Sequence, residues 1–268
     1  MKGACDTHFH VFGPPDRYPA RDPKLRYKPP NAPLADYLAH ARAMGFERFV
    51  FVQPSAYLRD NSCMLDAMRE MPGCRGIVDV DENAPDAELA KMHALGVRGV
   101  RVNVSPIHAP EPGLAQKLLP RIERLDARCA ELGWHLDFLL PGWLTAELLE
   151  RIDRLKCESS VAHMGMFLAK DGPNQPGFQR LLKSRCWVKL TGVYRMSRAP
   201  GFADAAPMAR ALIEKKADRL IWGSDYPHLS FADKVTTESL FELLKKWCGD
   251  RAMLQRILVD NPVTLFRF

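Results

Sequence analysis

Short apolar runs alternate with longer amphipathic ones about eight times along the chain. The short runs are Ala4–His10, Arg48–Gln53, Arg75–Val80, Val97–Val104, Trp134–Leu140, Ser159–His163, Trp187–Thr191 and Leu220–Ser224. Their length and their β-branched and aromatic residues predict strands. Between them, apolar residues recur at helical spacing over Leu34–Met44, Cys63–Met71, Ala87–Leu95, Gly113–Leu132, Leu144–Leu155, Phe178–Lys183, Ala205–Lys216 and Thr236–Trp247. This pattern predicts a single (β/α)8 barrel over residues 1–268, not an open doubly wound sheet. An open sheet usually has fewer strands and a Gly-rich phosphate loop after the first. Here the first strand runs into His-Val-Phe-Gly-Pro-Pro, and neither G-x-G-x-x-G nor a P-loop occurs. Only Gly13–Pro33 breaks the rhythm. It is Pro- and charge-rich without periodicity, a long loop of the kind that covers a barrel mouth.

Composition narrows the class. At 268 residues, 47% hydrophobic and 26% charged, the chain suits one large globular domain and not a disordered one. No apolar run approaches the ~18 residues of a membrane span, and the N-terminus lacks the apolar core of a signal peptide. The expectation is a soluble, cytoplasmic protein with no membrane partner. The seven cysteines are odd in number, dispersed and free of any C-x-x-C pair, which points to reduced thiols. Net charge is +6 but scattered, with no run of five Lys or Arg. That distribution favours a small anionic ligand over nucleic acid.

In such a barrel the C-terminal ends of the strands share one pocket. The first strand ends Asp6-Thr-His8-Phe-His10, and alternation places Asp6, His8 and His10 on one face. A lone inward histidine is often a satisfied core residue; two at i and i+2 on a strand's last turn point to function. His163 closes the sixth strand and Asp225 follows the eighth. The plainer reading of Asp225 is a helix N-cap, but Pro227 and His228 suit a loop. Two arginines join the set. Arg101 shares a face with residues 97, 99 and 103 while Arg98 points to the helices, and Arg195 follows the seventh strand. A guanidinium matches a carboxylate bidentately. His40 and His93 fall within helices. His135 starts its strand at the stability end, and His108 lies in the loop after strand four.

The H-x-H of strand one, the His of strand six and the Asp of strand eight resemble the amidohydrolase superfamily. Further stretches resemble its branch of 2-pyrone-4,6-dicarboxylate hydrolase-like lactonases. These are Val52-Gln-Pro-Ser55 with Asp60-Asn61, Arg98-Gly-Val-Arg101-Val-Asn103 and Ala162-His163-Met-Gly165. Gly192-Val-Tyr194-Arg195-Met-Ser197, Trp222-Gly-Ser-Asp225-Tyr-Pro-His228 and the closing Asp260-Asn-Pro-Val-Thr-Leu-Phe266 complete the set. The likeness spans nearly the whole chain.

That resemblance implies hydrolysis of a carboxylated lactone, with Asp225 activating water and His8, His10 and His163 stabilising the carbonyl oxygen. Arg195 and Arg101 would bind substrate carboxylates, with Tyr27, Ser55, Tyr57 and His228 completing the anion pocket. Binuclear relatives hold a carboxylated Lys at the end of strand four, where Arg101 and Asn103 stand here. Mononuclear ones take a His from strand five, which here ends Asp137-Phe-Leu-Leu-Pro141. The expectation is therefore no cofactor. The alternative is a single zinc on His8, His10, His163 and Asp225, in a lactonase or an aromatic-acid decarboxylase. A third reading, from another class, is a barrel that binds an organic acid without turning it over. The branch's Tyr near the end of strand five is replaced by Phe138, Leu139 or Leu140, which favours a muconolactone, sulfonated or plain, or a sugar lactone. The lactone itself and the oligomeric state, a homo-oligomer included, are left open.

Overall fold

The computed structural model describes residues 1–268. Eight parallel strands follow one another in chain order around one sheet: β1 Cys5–Phe9, β2 Arg48–Val52, β3 Arg75–Val78, β4 Val97–Asn103, β5 His135–Leu139, β6 Glu158–Val161, β7 Trp187–Leu190 and β8 Leu220–Trp222. Outside them run α1 Leu34–Ala43, α2 Ser62–Arg69, α3 Asp86–Leu95, α4 Leu114–Leu132, α5 Gly142–Ile152, α6 Pro176–Lys183, the single turn α7 Val193–Met196, α8 Ala206–Lys216 and α9 Thr237–Cys248. Two further helices, α10 Arg251–Gln255 and α11 Asn261–Phe266, close the chain. This is the expected α/β barrel. α4 shows why the periodicity was legible: Ala115, Ile122, Leu125 and Cys129 form its buried stripe, and Gly133 ends it at φ +65°. No helix is long and apolar enough to cross a membrane.

The barrel interior has an apolar lower layer. Cys5, Val50, Val52, Ile77, Trp187 and Ile221 pack together there, closed from below by Leu265 and Phe266 of α11. His135 sits at this end, as expected, its Nδ1 2.8 Å from Arg98 O. Burial lowers its pKa to about 4. The upper layer is polar, with His8, His10, Arg101, His163 and Asp225 buried in it.

β1 departs from simple alternation. Its register against β2 shifts between Asp6 and Phe9, so one extra residue turns Asp6 away from His8 and His10. Asp6 therefore does not join the pocket. Its carboxylate accepts from Tyr37 Oη on α1 (2.5 Å), from His8 N (3.1 Å) and from Ser224 N (3.0 Å). Burial still raises its pKa to about 6. Asp6 thus fastens β1 to the segment that follows β8.

That segment also closes the barrel. Asp225 N donates to His8 O and His10 N to Tyr226 O, each at 2.8 Å, so the β1–β8 seam is completed by residues beyond β8 itself. The chain approaches closely there. A Cβ added at Gly223 would lie 2.5 Å from both N and Cβ of His8. Gly223→Ala should push β8 off β1 and cost ~1–3 kcal/mol, the usual scale of overpacking. An unchanged urea midpoint would contradict this account of the seam.

Candidate active site

A cavity of about 540 Å³ opens at the C-terminal ends of the strands. His10, Arg101, Asn103, Leu139, His163, Arg195 and Asp225 form its floor and walls. Its rim is made by the long first loop (Asp22 and Lys24–Tyr27), by Ser55 and Leu58 after β2, by Ser105–His108 after β4 and by Leu229–Phe231 after β8. The loop 13–33 is pinned to its neighbours: Arg21 N and Asp22 N donate to Ala56 O at 2.7 and 3.2 Å.

Asp225 is the centre. It follows β8 in the left-handed region at φ +57°, a conformation Asp tolerates better than most residues. Its two oxygens differ. Oδ2 accepts from Tyr194 Oη (2.5 Å) and from Nε of Arg195 (3.0 Å), whose Nη2 forms an ion pair with it, also at 3.0 Å. Oδ1 is buried without a hydrogen bond, and faces His10 Nε2 at 3.4 Å and His8 Nε2 at 3.5 Å. Burial alone would raise the Asp225 pKa. The Arg195 guanidinium, the leading influence in the other direction, instead holds it well below the ordinary carboxylate range.

The imidazoles are buried and neutral: burial lowers the pKa of His8, His10 and His163, the last to about 3. Their hydrogens follow from their partners. His10 Nδ1 is 2.8 Å from Val52 O, a pure acceptor, so Nδ1 carries the hydrogen and Nε2 offers a lone pair to the cavity. Thr191 Oγ1 accepts from His163 N (3.2 Å) and lies 2.8 Å from its Nδ1. A Thr191 hydroxyl that donates to Nδ1 leaves His163 presenting Nε2–H. His8 Nδ1 faces Lys189 Nζ at 3.3 Å, which likewise leaves its hydrogen on Nε2.

Arg101 is buried as expected, donating Nη1 to Gln53 O (2.9 Å), with Nε unpartnered and 3.9 Å from Asp137 Oδ2. Arg98 turns outward, donating to His93 O and Val97 O. Tyr27 and Ser55 meet on the wall, Oη to Oγ 3.3 Å. Three expected site residues do not reach the cavity. His8 is fully buried beneath Asp225. Tyr57 is buried, packed 5.6 Å from the ring of Phe12. His228 lies behind Asp225, 3.3 Å from Thr237 Oγ1. His108 does line the rim, 3.1 Å from Glu111.

Tyr194, Lys189 and Asp137 lie behind the lining, and the sequence reading does not single them out: Tyr194 contacts Asp225, Lys189 contacts His8, and Asp137 contacts Lys189. Parity held the signal for two of them: Lys189 shares a face with Thr191, and Asp137 with Leu139. Charges at inward positions of apolar strands ask for a reason. Around the floor, Arg101, Arg195 and Lys189 stand against Asp137 and Asp225, which leaves one positive charge in excess. Lys189 Nζ is 2.7 Å from Asp137 Oδ1. Burial works against Asp137, but Lys189 and then Arg101 lower its pKa to about 2.

The chain is similar to known proteins along nearly its whole length. The amidohydrolase family matches residues 5–268. A 4-sulfomuconolactone hydrolase of Hydrogenophaga intermedia is 34% identical, over 98% of this chain and 88% of its own. A 2-pyrone-4,6-dicarboxylate hydrolase of Comamonas testosteroni is 31% identical over 98% of this chain and 90% of its own. A probable 2-pyrone-4,6-dicarboxylic acid hydrolase from Acinetobacter baumannii, solved with citric acid bound, superposes with a TM-score of 0.87. It is 27% identical and covers 99% of this chain and all of the solved one. The chain is a hydrolase of the amidohydrolase family, in the branch that holds these lactone hydrolases.

Proposed function

We propose that the protein opens the ring of a small anionic lactone, a muconolactone bearing a carboxylate or sulfonate first and 2-pyrone-4,6-dicarboxylate second. The observation that carries this reading is the divided carboxylate of Asp225, with one oxygen clamped by Tyr194 and Arg195 and the other bare beside the cavity. A water between Oδ1 and the His10 Nε2 lone pair can donate to both. Asp225 takes its proton as the water oxygen bonds to the lactone carbonyl carbon. The developing oxyanion meets His163 Nε2–H and the guanidinium groups of Arg101 and Arg195. The ring C–O bond then breaks, and the leaving oxygen receives the proton from Asp225. His10, with its hydrogen on Val52 O, holds water and does not donate to the carbonyl oxygen. The imidazoles thus have separate tasks.

Substrate class follows from the walls. The excess positive charge favours an anion, while Leu139, Leu58 and Ile107 give an apolar side without the hydroxyl a second ring acid would use. The relatives named for sulfomuconolactone point the same way.

The donor set does not fit a divalent ion. Ligand atoms of His8, His163 and Asp225 do lie within 4.8 Å of one another, the arrangement a zinc reading needs. However, the His8 Nδ1 lone pair faces the Lys189 ammonium, Arg195 holds Asp225 Oδ2, and Arg101 adds a third cation, which leaves Asp225 Oδ1 and His10 Nε2 as a donor pair hemmed in by positive charge. A ligand must offer its lone pair to the metal, so we assign no metal to the reaction. The test is ultraviolet-monitored ring-opening of 4-sulfomuconolactone and 2-pyrone-4,6-dicarboxylate by protein dialysed against a chelator. Turnover by the stripped protein is expected. Activity lost on stripping and restored by zinc would overturn the metal-free reading. Binding of either lactone without turnover would favour a carrier over an enzyme.

A further inference from the structure

Beneath the cavity lies a buried chain of charges that the hydrolytic steps above do not use. Asp137 on β5 accepts from Ser160 Oγ (2.6 Å) and holds Lys189 Nζ on β7 at 2.7 Å. Lys189 Nζ reaches His8 Nδ1 at 3.3 Å, and His8 Nε2, itself without a hydrogen bond, stands 3.5 Å from the bare Oδ1 of Asp225. Lys189, Asp137 and His8 are wholly shut off from solvent. The other charged or titratable groups facing His8 are His10, His163, Arg101 and Asp225.

Folding gives no reason for this arrangement. The nearby inward positions are filled by apolar groups such as Trp187 and Ile221, and a buried ion pair is commonly matched or bettered in stability by apolar residues of similar volume. An inward Lys–Asp pair is therefore an expense without a structural return. Its directional effect is on His8. An ammonium donates and never accepts, so it claims the Nδ1 lone pair and leaves the imidazole hydrogen on Nε2.

We propose that Lys189, held by Asp137, is a positioning residue that locks His8 with its Nε2 hydrogen aimed at the bare oxygen of Asp225. In that form His8 does not compete with Asp225 for the proton of water. In the opposite form its lone pair faces the carboxylate oxygen, and the two repel. Lys189 reaches the reacting atoms only through His8. The inference rests on the lactone-hydrolase reading for its kinetic consequence, and on geometry alone for the imidazole.

Two-bond proton–nitrogen correlation spectra of the ¹⁵N-labelled full chain, with His8 assigned from the spectrum of His8→Gln, read the hydrogen directly. In the wild type, His8 should carry it on Nε2 and His10 on Nδ1. Lys189→Met should bring out the Nδ1–H form of His8. With 4-sulfomuconolactone, or with 2-pyrone-4,6-dicarboxylate if that is the lactone turned over, it should lower kcat by ~10²–10⁴-fold, the scale of a wrong imidazole tautomer, and move KM by less than about threefold. Because Lys189→Met strands Asp137, the double variant Lys189→Met/Asp137→Asn serves as its control. It should regain melting temperature but neither the Nε2–H form nor kcat. A wild-type His8 with its hydrogen on Nδ1 overturns the proposal, as does a double variant that recovers the wild-type tautomer. If neither lactone is turned over while His8 behaves as stated, the substrate reading fails and the positioning role stands.

Discussion

Asp225→Asn is expected to lower kcat for lactone opening by ~10³-fold or more while leaving the barrel folded, a loss at the upper range for a positioned general base. The amide can satisfy the clamped side of the site. Its oxygen accepts from Tyr194 and Arg195 where Oδ2 does now. Its NH2 then turns toward the His10 Nε2 lone pair, which lies 3.4 Å from the present Oδ1. The geometry survives, and the lone pair that takes a proton from water does not. Substrate binding through the arginines should change little, so the loss should fall on kcat with KM nearly constant. Circular dichroism and single-turnover kinetics check both halves. A folded Asp225→Asn protein with more than about a tenth of wild-type kcat would remove Asp225 from the base role.

The second large effect should come from Arg195→Met. Arg195 lines the cavity and also holds Asp225 Oδ2 through two contacts. Its loss takes a cation from the substrate side, so KM should rise by ~10-fold or more, the scale of a lost charged hydrogen bond. The pH dependence should move as well, with a sign set by the site. Burial pushes the Asp225 pKa up, and Arg195 is the leading influence bringing it down. Without the guanidinium, burial prevails and Asp225 holds its proton to higher pH. The acid limb of kcat/KM, which reports the free enzyme, should therefore shift upward, and activity below neutrality should fall more than activity above it. Arg195→Lys keeps a charge but not the fork, and should restore KM less than the acid limb. An acid limb unchanged in Arg195→Met would mean that Arg195 does not set the basicity of Asp225.

Much of the site could be read from residue order alone. His10, His163, Arg101, Arg195 and Asp225 were expected at the strand ends and do surround one cavity, because parallel strands in a closed barrel deliver their C-terminal residues to a common mouth. Tyr27 and Ser55 also meet there, across 28 positions of sequence. Asp6 was misplaced because a bulge leaves no mark in apolar–polar alternation. The short α7, which brings Tyr194 to Asp225, is a single turn, too brief for any periodicity to show.

What sequence by itself determined was the barrel and which polar residues stand at the strand ends around one cavity. Period-two and helical spacing are local properties, set by how side chains project from a strand or a helix. Tertiary structure alone decided which of those residues touch solvent and which nitrogen of each imidazole is free. His8 and His10 are two positions apart, yet one is buried against a lysine from β7 and the other opens on the cavity, held by a carbonyl from β2. Their hydrogens are placed by partners 181 and 42 residues away. Those partners arrive only when the sheet closes, and a proton's position is set by the atoms within hydrogen-bond reach of it.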